Sequence, residues 1–282
     1  MPELPEVETI KRGLEQSLIN QTIVSVKCHR DHLRIPIPKN LDSVLMNAQI
    51  INFTRRGKYI LIHLNNQQTI LIHLGMSGKM IVRPHNSSYI LQKHEHLTVL
   101  TKEGQCLSYI DPRRFGMIDI FPSNQTHRLL VRMGPEPIIP KTKYSQFSSY
   151  LYNQLQKKKQ SIKSSLLDQH LIAGLGNIYV CEALFLAEIS PLRPSNSITL
   201  EETFHIVKAI QTILTKAIKA GGSSMRDYVH SDGKRGYFQM QWNVYGKEKE
   251  NCSKCLTKGK KTLIKRTTQA GRSSFYCDTC QR

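Results

Sequence analysis

Acidic residues are what this chain is short of: 21 Asp and Glu stand against 40 Lys and Arg, a formal net charge of +19 over 282 residues. A surface that basic calls for a polyanionic partner, nucleic acid ahead of an anionic membrane. Long apolar runs are missing as well. None approaches the ~20 residues that span a bilayer, which weakens the membrane alternative. No secretory leader is expected, because the N-terminus is acidic and punctuated by proline, so the expected address is intracellular. No internal repeat is evident. The length allows one to three domains with ample chain for a core, and the 39% hydrophobic content is ordinary.

Seven cysteines are present. Cys28, Cys106 and Cys181 stand singly among apolar neighbours and are expected to be buried thiols. The other four are paired as Cys252-x-x-Cys255 and Cys277-x-x-Cys280, separated by 21 residues. Each CxxC knuckle presents two thiolates from a tight turn, and two knuckles complete a tetrahedron around Zn²⁺. Four thiolates with no open position mark a structural ion; two disulfides are the competing reading, disfavoured in a reducing compartment. From Lys234 to Arg282 there are 12 Lys and Arg against 3 acidic residues, a net of +9. Residues 262–269 and 273–277 read as two strands with Gly271-Arg272 at their turn. A metal-pinned hairpin with an arginine at its tip suits a phosphate or a groove.

The opening residues, Met-Pro-Glu-Leu-Pro-Glu-Val-Glu-Thr, carry chemistry of a different kind. With Met1 removed, Pro2 presents a free secondary amine, a group that a proline inside a chain lacks. An α-amino group titrates near pH ~8, so part of it is unprotonated at neutral pH. Its attack on an aldehyde-like carbon gives an iminium ion. Glu3 and Glu6 stand close enough in sequence to move protons. Read alone, the same residues also suit a helix N-terminus, where proline and acidic side chains are favoured.

Val7, Ile10, Leu14 and Leu18 recur at helical spacing, so a helix is expected from about residue 5 to 18. Short β-rich runs follow to about residue 121: 59–64, 69–74, 97–100, 105–110 and 117–121. They indicate a β-sandwich or barrel carrying the helix. Gly134-Pro-Glu-Pro and Pro140 punctuate the chain as a linker. Beyond it, helices are expected over 177–187 and 200–220, the second opened by a Thr199–Glu202 capping box and closed by Gly221-Gly222. Residues 221–238 read as a long loop.

Three further motifs lie in turns. HLGMSG at 73–78 places Met76 on a glycine-flanked turn. DPRRFG at 111–116 combines two cations with an aromatic, able to wedge into a duplex and bond exposed base edges. GLGNIY at 174–179 leads into a helix whose N-terminus, with Asn177, suits a phosphate. Together with PELPEVET, RRGKY at 55–59, SDGKRGYF at 231–238 and the four cysteines, this ordered set strongly resembles the formamidopyrimidine-DNA glycosylase family, over essentially the whole chain.

The resemblance implies an α+β multidomain fold: an N-terminal helix on a β-sandwich (1–133), a linker (134–145), a helix–two-turn–helix domain with a lesion loop (146–238) and a zinc-finger β-hairpin (239–282). It implies excision of oxidised purines through a Schiff base on Pro2, with lyase cleavage by β,δ-elimination. Glu3 would be the acid/base, Glu6 a supporting carboxylate, and Lys58 a cation near the lesion. Met76 and Phe115 would fill the gap left by the extruded base, Arg113 would bond the orphaned cytosine, and Asn177 and Arg272 would hold the flanking phosphates. His73 and Tyr245 would be further phosphate contacts. One structural Zn²⁺, damaged duplex DNA as partner, a monomer, and a bacterial cytoplasmic, nucleoid-associated location complete the expectation. An endonuclease VIII-like glycosylase acting on oxidised pyrimidines shares the Pro-Glu start but uses other wedge residues. A non-catalytic zinc-ribbon binder satisfies the composition but has no use for a free Pro2 amine.

Overall fold

A computed structural model of the chain describes residues 2–85, 90–223 and 238–282. The chain gathers into two compact units, Met1–Val131 with Ile218–Gln239, and Arg132–Ala217 with Met240–Arg282. Each unit thus draws on two segments of the chain. The expected loop at 221–238 and the motif at 231–238 fall largely outside the described residues.

The first unit opens with α1 (Leu4–Leu18), whose stripe of Val7, Ile10, Leu14 and Leu18 is buried. A left-handed Asn20 (φ 63°) follows its C-terminal end. Then come β1 (Ile23–Cys28), α2 (Leu41–Leu45), β2 (Ile50–Arg56), β3 (Tyr59–Leu64), β4 (Gln68–His73), β5 (Lys79–Pro84), β6 (Glu95–Thr101), β7 (Gln105–Ile110) and β8 (Met117–Pro122). They form two four-stranded antiparallel sheets, ordered β1-β6-β7-β5 and β2-β3-β4-β8. In β3 the side chains of Ile60, Ile62 and Leu64 point inward and alternate with half-buried ones, the two-residue period of a sheet with one face on a core. These residues, the α1 stripe, Phe53, Leu97 and Val99 make one apolar core. The expected helix-on-sandwich is what forms.

The connections fix where a site can be built. After β4 the chain crosses to the other sheet through residues 74–78; after β7 it crosses back through 111–116. The register pairs His73 with Met117 and Lys79 with Ile110, so both crossings leave from the same end of the sandwich.

In the second unit, α3 (Tyr144–Leu155) and α4 (Ile162–Leu166) precede α5 (Asn177–Leu186), which is buried from Ile178 through Phe185. α6 (Leu200–Lys219) carries the expected capping box: Glu202 Oε2 accepts from the Thr199 N–H at 2.8 Å, and Thr199 Oγ1 accepts from the Glu202 N–H at 3.2 Å. A short α7 (Ser253–Leu256) and the hairpin β9 (Lys265–Gln269) and β10 (Arg272–Tyr276) close the chain. Cys181 and Phe185 of α5 pack with Val244, Ile264, Phe275 and three of the paired cysteines in a small core.

Two expectations are corrected. Cys28 is exposed, whereas Cys106 and Cys181 are buried as expected. Cys28 ends β1, an edge strand whose last residues face outward, so its apolar neighbours in sequence do not cover it. Arg272 does not sit in the hairpin turn; Ala270 and Gly271, with φ of 46° and 71°, make the turn and Arg272 begins β10.

Candidate active site

The start of α1 is buried, where a chain end is usually frayed. Pro2 is buried, and Glu3 and Glu6 are 4% and 2% exposed. Glu3 is the N-cap, and its carboxylate accepts from the backbone of Glu6 in a reciprocal capping box. Glu6 Oε2 accepts from the Glu3 N–H at 2.9 Å, and its Oε1 accepts from the Ser223 N–H at 2.7 Å. One carboxylate therefore pins the residue after Pro2 and the described edge of the segment that follows α6. Gly222 (φ +77°) allows this approach, since a Cβ there would lie 3.0 Å from Glu6 Oε1.

Lys58 is buried in the β2–β3 turn, which opens with left-handed Gly57. Arg55 ties that turn to α1: its Nε donates to Glu8 Oε2 at 2.8 Å and its Nη1 to the Gly57 carbonyl at 2.9 Å. Burial pushes the Glu8 carboxyl up, but hydrogen bonds from Arg55 and Arg12 outweigh it and hold the group below its ordinary pKa. His73, at the end of β4, stacks obliquely on Tyr59 with ring centroids 4.9 Å apart. Burial first, then the charges of Lys58 and Arg34, lower its pKa to about 4. Its Nδ1 accepts from the Gly75 N–H at 3.0 Å, which leaves Nε2 as the protonated, donating nitrogen of the neutral ring.

The two crossings carry Met76 and the Arg113–Phe115 pair. Met76 and Phe115 are 37% and 45% exposed, and the Arg113 guanidinium lies 4.9 Å from the Phe115 ring centroid. The crossings interlock: a Cβ on Gly75 (φ +60°) would come within 2.4 Å of the Phe115 carbonyl carbon. Arg114 takes a left-handed φ of 60°, so the chain turns sharply between Arg113 and Phe115.

In the second unit, Asn177 is the first residue of α5. Its Nδ2 donates to the Ser273 carbonyl at 2.9 Å, while its buried Oδ1 finds no partner among the described residues. Lys163 Nζ donates to the same carbonyl at 2.9 Å and to Ser274 Oγ at 2.7 Å. The exposed Arg272 is the next residue before Ser273, so α4 and α5 both grip the strand at its foot. Burial and the nearby Arg272 charge lower the Lys163 pKa. Tyr245 packs edge-on against Phe275 at 5.0 Å and Trp242 at 5.1 Å. Its N–H donates to Glu182 of α5, whose carboxylate also accepts from Val244 and from both nitrogens of Asn243.

The sulfurs of Cys252, Cys255, Cys277 and Cys280 lie within 4.8 Å of one another, with pairs at 3.5 and 3.6 Å. A tetrahedral site with metal–sulfur bonds of roughly 2.3 Å needs sulfurs about 3.8 Å apart, so the four are close enough to converge on one metal ion.

The described candidate residues divide between the units: Pro2, Glu3, Glu6, Lys58, His73, Met76, Arg113 and Phe115 lie in the first, and Asn177, Tyr245, Arg272 and the four paired cysteines in the second. Sequence reading passed over Lys163 and Glu182. Lys163 stands in a run of polar residues and Glu182 inside an apolar helix; only the second carried a signal, as an acid in a segment otherwise fit for burial.

A family model described as the formamidopyrimidine-DNA glycosylase N-terminal domain matches residues 1–118, and one described as that glycosylase's H2TH domain matches residues 133–229. Curated proteins named formamidopyrimidine-DNA glycosylase from Dinoroseobacter shibae and Gluconobacter oxydans are 42% and 44% identical, each comparison covering 100% of both chains. Among solved structures, a complex of the Lactococcus lactis Fpg with abasic-site DNA is similar at TM-score 0.88 and 34% identity over 100% of both chains. A structure of MutM with DNA containing carbocyclic 8-oxo-G is similar at TM-score 0.87, also with 34% identity and 100% coverage.

The depressed His73 pKa has a consequence for stability. Below the ordinary value of 6.5 the unfolded chain takes up a proton that the folded chain refuses until about pH 4. Stability should fall as pH drops through that window, and His73→Gln should flatten the fall while leaving the region above it parallel. Urea midpoints measured across pH for both proteins check this; identical profiles would reject a buried neutral His73.

Proposed function

The chain belongs to the formamidopyrimidine-DNA glycosylase family, and from that premise we propose that it is a bifunctional base-excision enzyme removing 8-oxoguanine and formamidopyrimidines from duplex DNA. The observation that carries this reading is the buried start of α1. A segment needed only to begin a helix has no reason to be capped, buried and clamped by a second carboxylate at once.

In this reading Met1 is removed and the Pro2 amine attacks C1′ of the damaged nucleoside, displacing the base. Glu3 protonates the ring oxygen as the sugar opens, leaving an iminium ion between Pro2 and C1′. The iminium acidifies the 2′ hydrogens. Loss of one breaks the C3′–O bond by β-elimination, and a second elimination breaks the C5′–O bond. Glu6 keeps Glu3 and the 222–223 backbone in place, and Lys58 supplies a buried cation close to His73 that favours the approach of a phosphate.

The target base has to leave the stack, at a cost of a few kcal/mol. Met76 and Phe115 fill the space it vacates, and Arg113, steadied over the Phe115 ring, bonds the unpaired cytosine. Asn177, Arg272, His73 and Tyr245 hold phosphates around the flipped nucleotide. The blocks 1–133, 146–238 and 239–282 are the proposed functional divisions, joined by 134–145. The segment 221–238 is assigned to cover the damaged base. The metal held by Cys252, Cys255, Cys277 and Cys280 is zinc; it fixes the fold of the hairpin that presents Arg272 and takes no part in the chemistry. The enzyme acts as a monomer in the bacterial cytoplasm, on nucleoid DNA. No helix among the described residues is long and apolar enough to cross a membrane.

Two substitutions test these roles. Arg113→Ala should reduce the preference for cytosine over adenine opposite 8-oxoguanine by about tenfold, the equivalent of ~1.4 kcal/mol, with a smaller loss of nonspecific affinity. Single-turnover excision on both duplexes measures it, and an unchanged ratio rejects the contact. Cys252→Ala should lose bound zinc, assayed by plasma mass spectrometry, together with duplex binding. Full zinc content and undiminished binding would count against the metal assignment.

A further inference from the structure

The two crossings that carry the proposed wedge share one buried anion. Asp111 is 0% exposed. Its Oδ1 accepts from the Ser77 hydroxyl at 2.6 Å and from the Arg113 N–H at 3.3 Å. Its Oδ2 accepts from the Gly116 N–H at 2.8 Å and, at 3.5 Å, from the Tyr109 hydroxyl. Ser77 Oγ in turn accepts from the Arg113 N–H at 3.1 Å, closing a small ring of bonds between the crossings. The Asp111 carbonyl accepts from His96 Nε2 at 2.8 Å. Sterics fix the same arrangement, because a Cβ on Gly116 would stand 1.7 Å from the Tyr109 hydroxyl.

We infer that Asp111 is a positioning residue for duplex opening, binding the Met76 crossing and the Arg113–Phe115 crossing into one rigid body that enters the stack as a unit. The inference rests on the glycosylase reading above. Every partner directs a hydrogen at the carboxylate, and two of the donors lie on either side of the residues that would touch DNA. Met76 precedes Ser77 directly; Arg113 and Gly116 bracket Phe115. An isolated carboxylate in such a place is costly, and one so fully supplied with donors is held for geometry. An amide could not replace it, since its NH₂ would oppose donors that already point inward.

Asp111→Asn, close in size, should lower single-turnover excision of 8-oxoguanine opposite cytosine at least tenfold. It should also erase the preference over adenine and reduce the fluorescence rise of 2-aminopurine placed beside the lesion. Cleavage of a single-stranded oligonucleotide with a preformed abasic site, which has no stack to open, should stay within twofold. In the Met76→Ala/Arg113→Ala/Phe115→Ala background the same change should add nothing, as expected for residues acting as one unit. Ser77→Ala removes one arm only, and should give an intermediate loss of the same kind with a preserved melting temperature. Unchanged excision and fluorescence in Asp111→Asn, or an additional loss in the triple-variant background, would overturn the inference. Equal loss on the single strand would overturn it too, by assigning Asp111 to the fold at large. Wild-type protein silent on both substrates would instead defeat the underlying reading, and the inference with it.

Discussion

A carboxylate at the third turn-forming position of the first helix holds the N-terminal unit to its chemistry. Glu6 accepts the Glu3 N–H with one oxygen and the Ser223 N–H with the other. Without it, two residues ahead of α1 would be a loose end, with the large entropy of a free terminus. With it, Pro2 and Glu3 are buried and ordered, and the backbone arriving from α6 is fixed to the same point. The capping box at α1 thus does double duty, satisfying orphan N–H groups of a helix start and ordering the residues ahead of it, where the proposed nucleophile stands.

The same economy recurs in both units: a single acceptor collects donors from separate elements. The Ser273 carbonyl takes Asn177 and Lys163, so the foot of β10 is set by two helices at once. Glu182 takes four donors from residues 243–245 and fixes the approach to the cysteine cluster. Asp111 joins the two crossings of the sandwich. These are buried polar groups with full partners, the condition under which such networks specify one geometry. The apolar cores supply the bulk of the stability around them, while the polar nodes decide where the functional side chains point.

Much of this was legible in the sequence because the chemistry is written in contiguous motifs. Pro2, Glu3 and Glu6 lie within a few residues of one another at the start of α1; Met76 and Phe115 sit in turns next to glycine; the four cysteines declare themselves by spacing. The α1 stripe and the Thr199–Glu202 capping box were readable from period and residue type alone. What escaped was tertiary. Lys163 and Ser273 stand 110 residues apart in sequence, and Glu6 and Ser223 stand 217 apart, so no local pattern joins them. The exposure of Cys28 depends on β1 being an edge strand, a fact of sheet order. The placement of Arg272 shifted by one residue because Ala270, not a second glycine or asparagine, takes the left-handed turn position with Gly271.

The measurement that bears most directly on the proposed Pro2 nucleophile is borohydride trapping on a duplex carrying 8-oxoguanine opposite cytosine, with the adduct mapped by mass spectrometry. The expected result is one covalent adduct, on the nitrogen of Pro2, in protein from which Met1 is absent. A DNA-bound protein lacking Met1 that gives no adduct, or one trapped through a lysine such as Lys58, would contradict it.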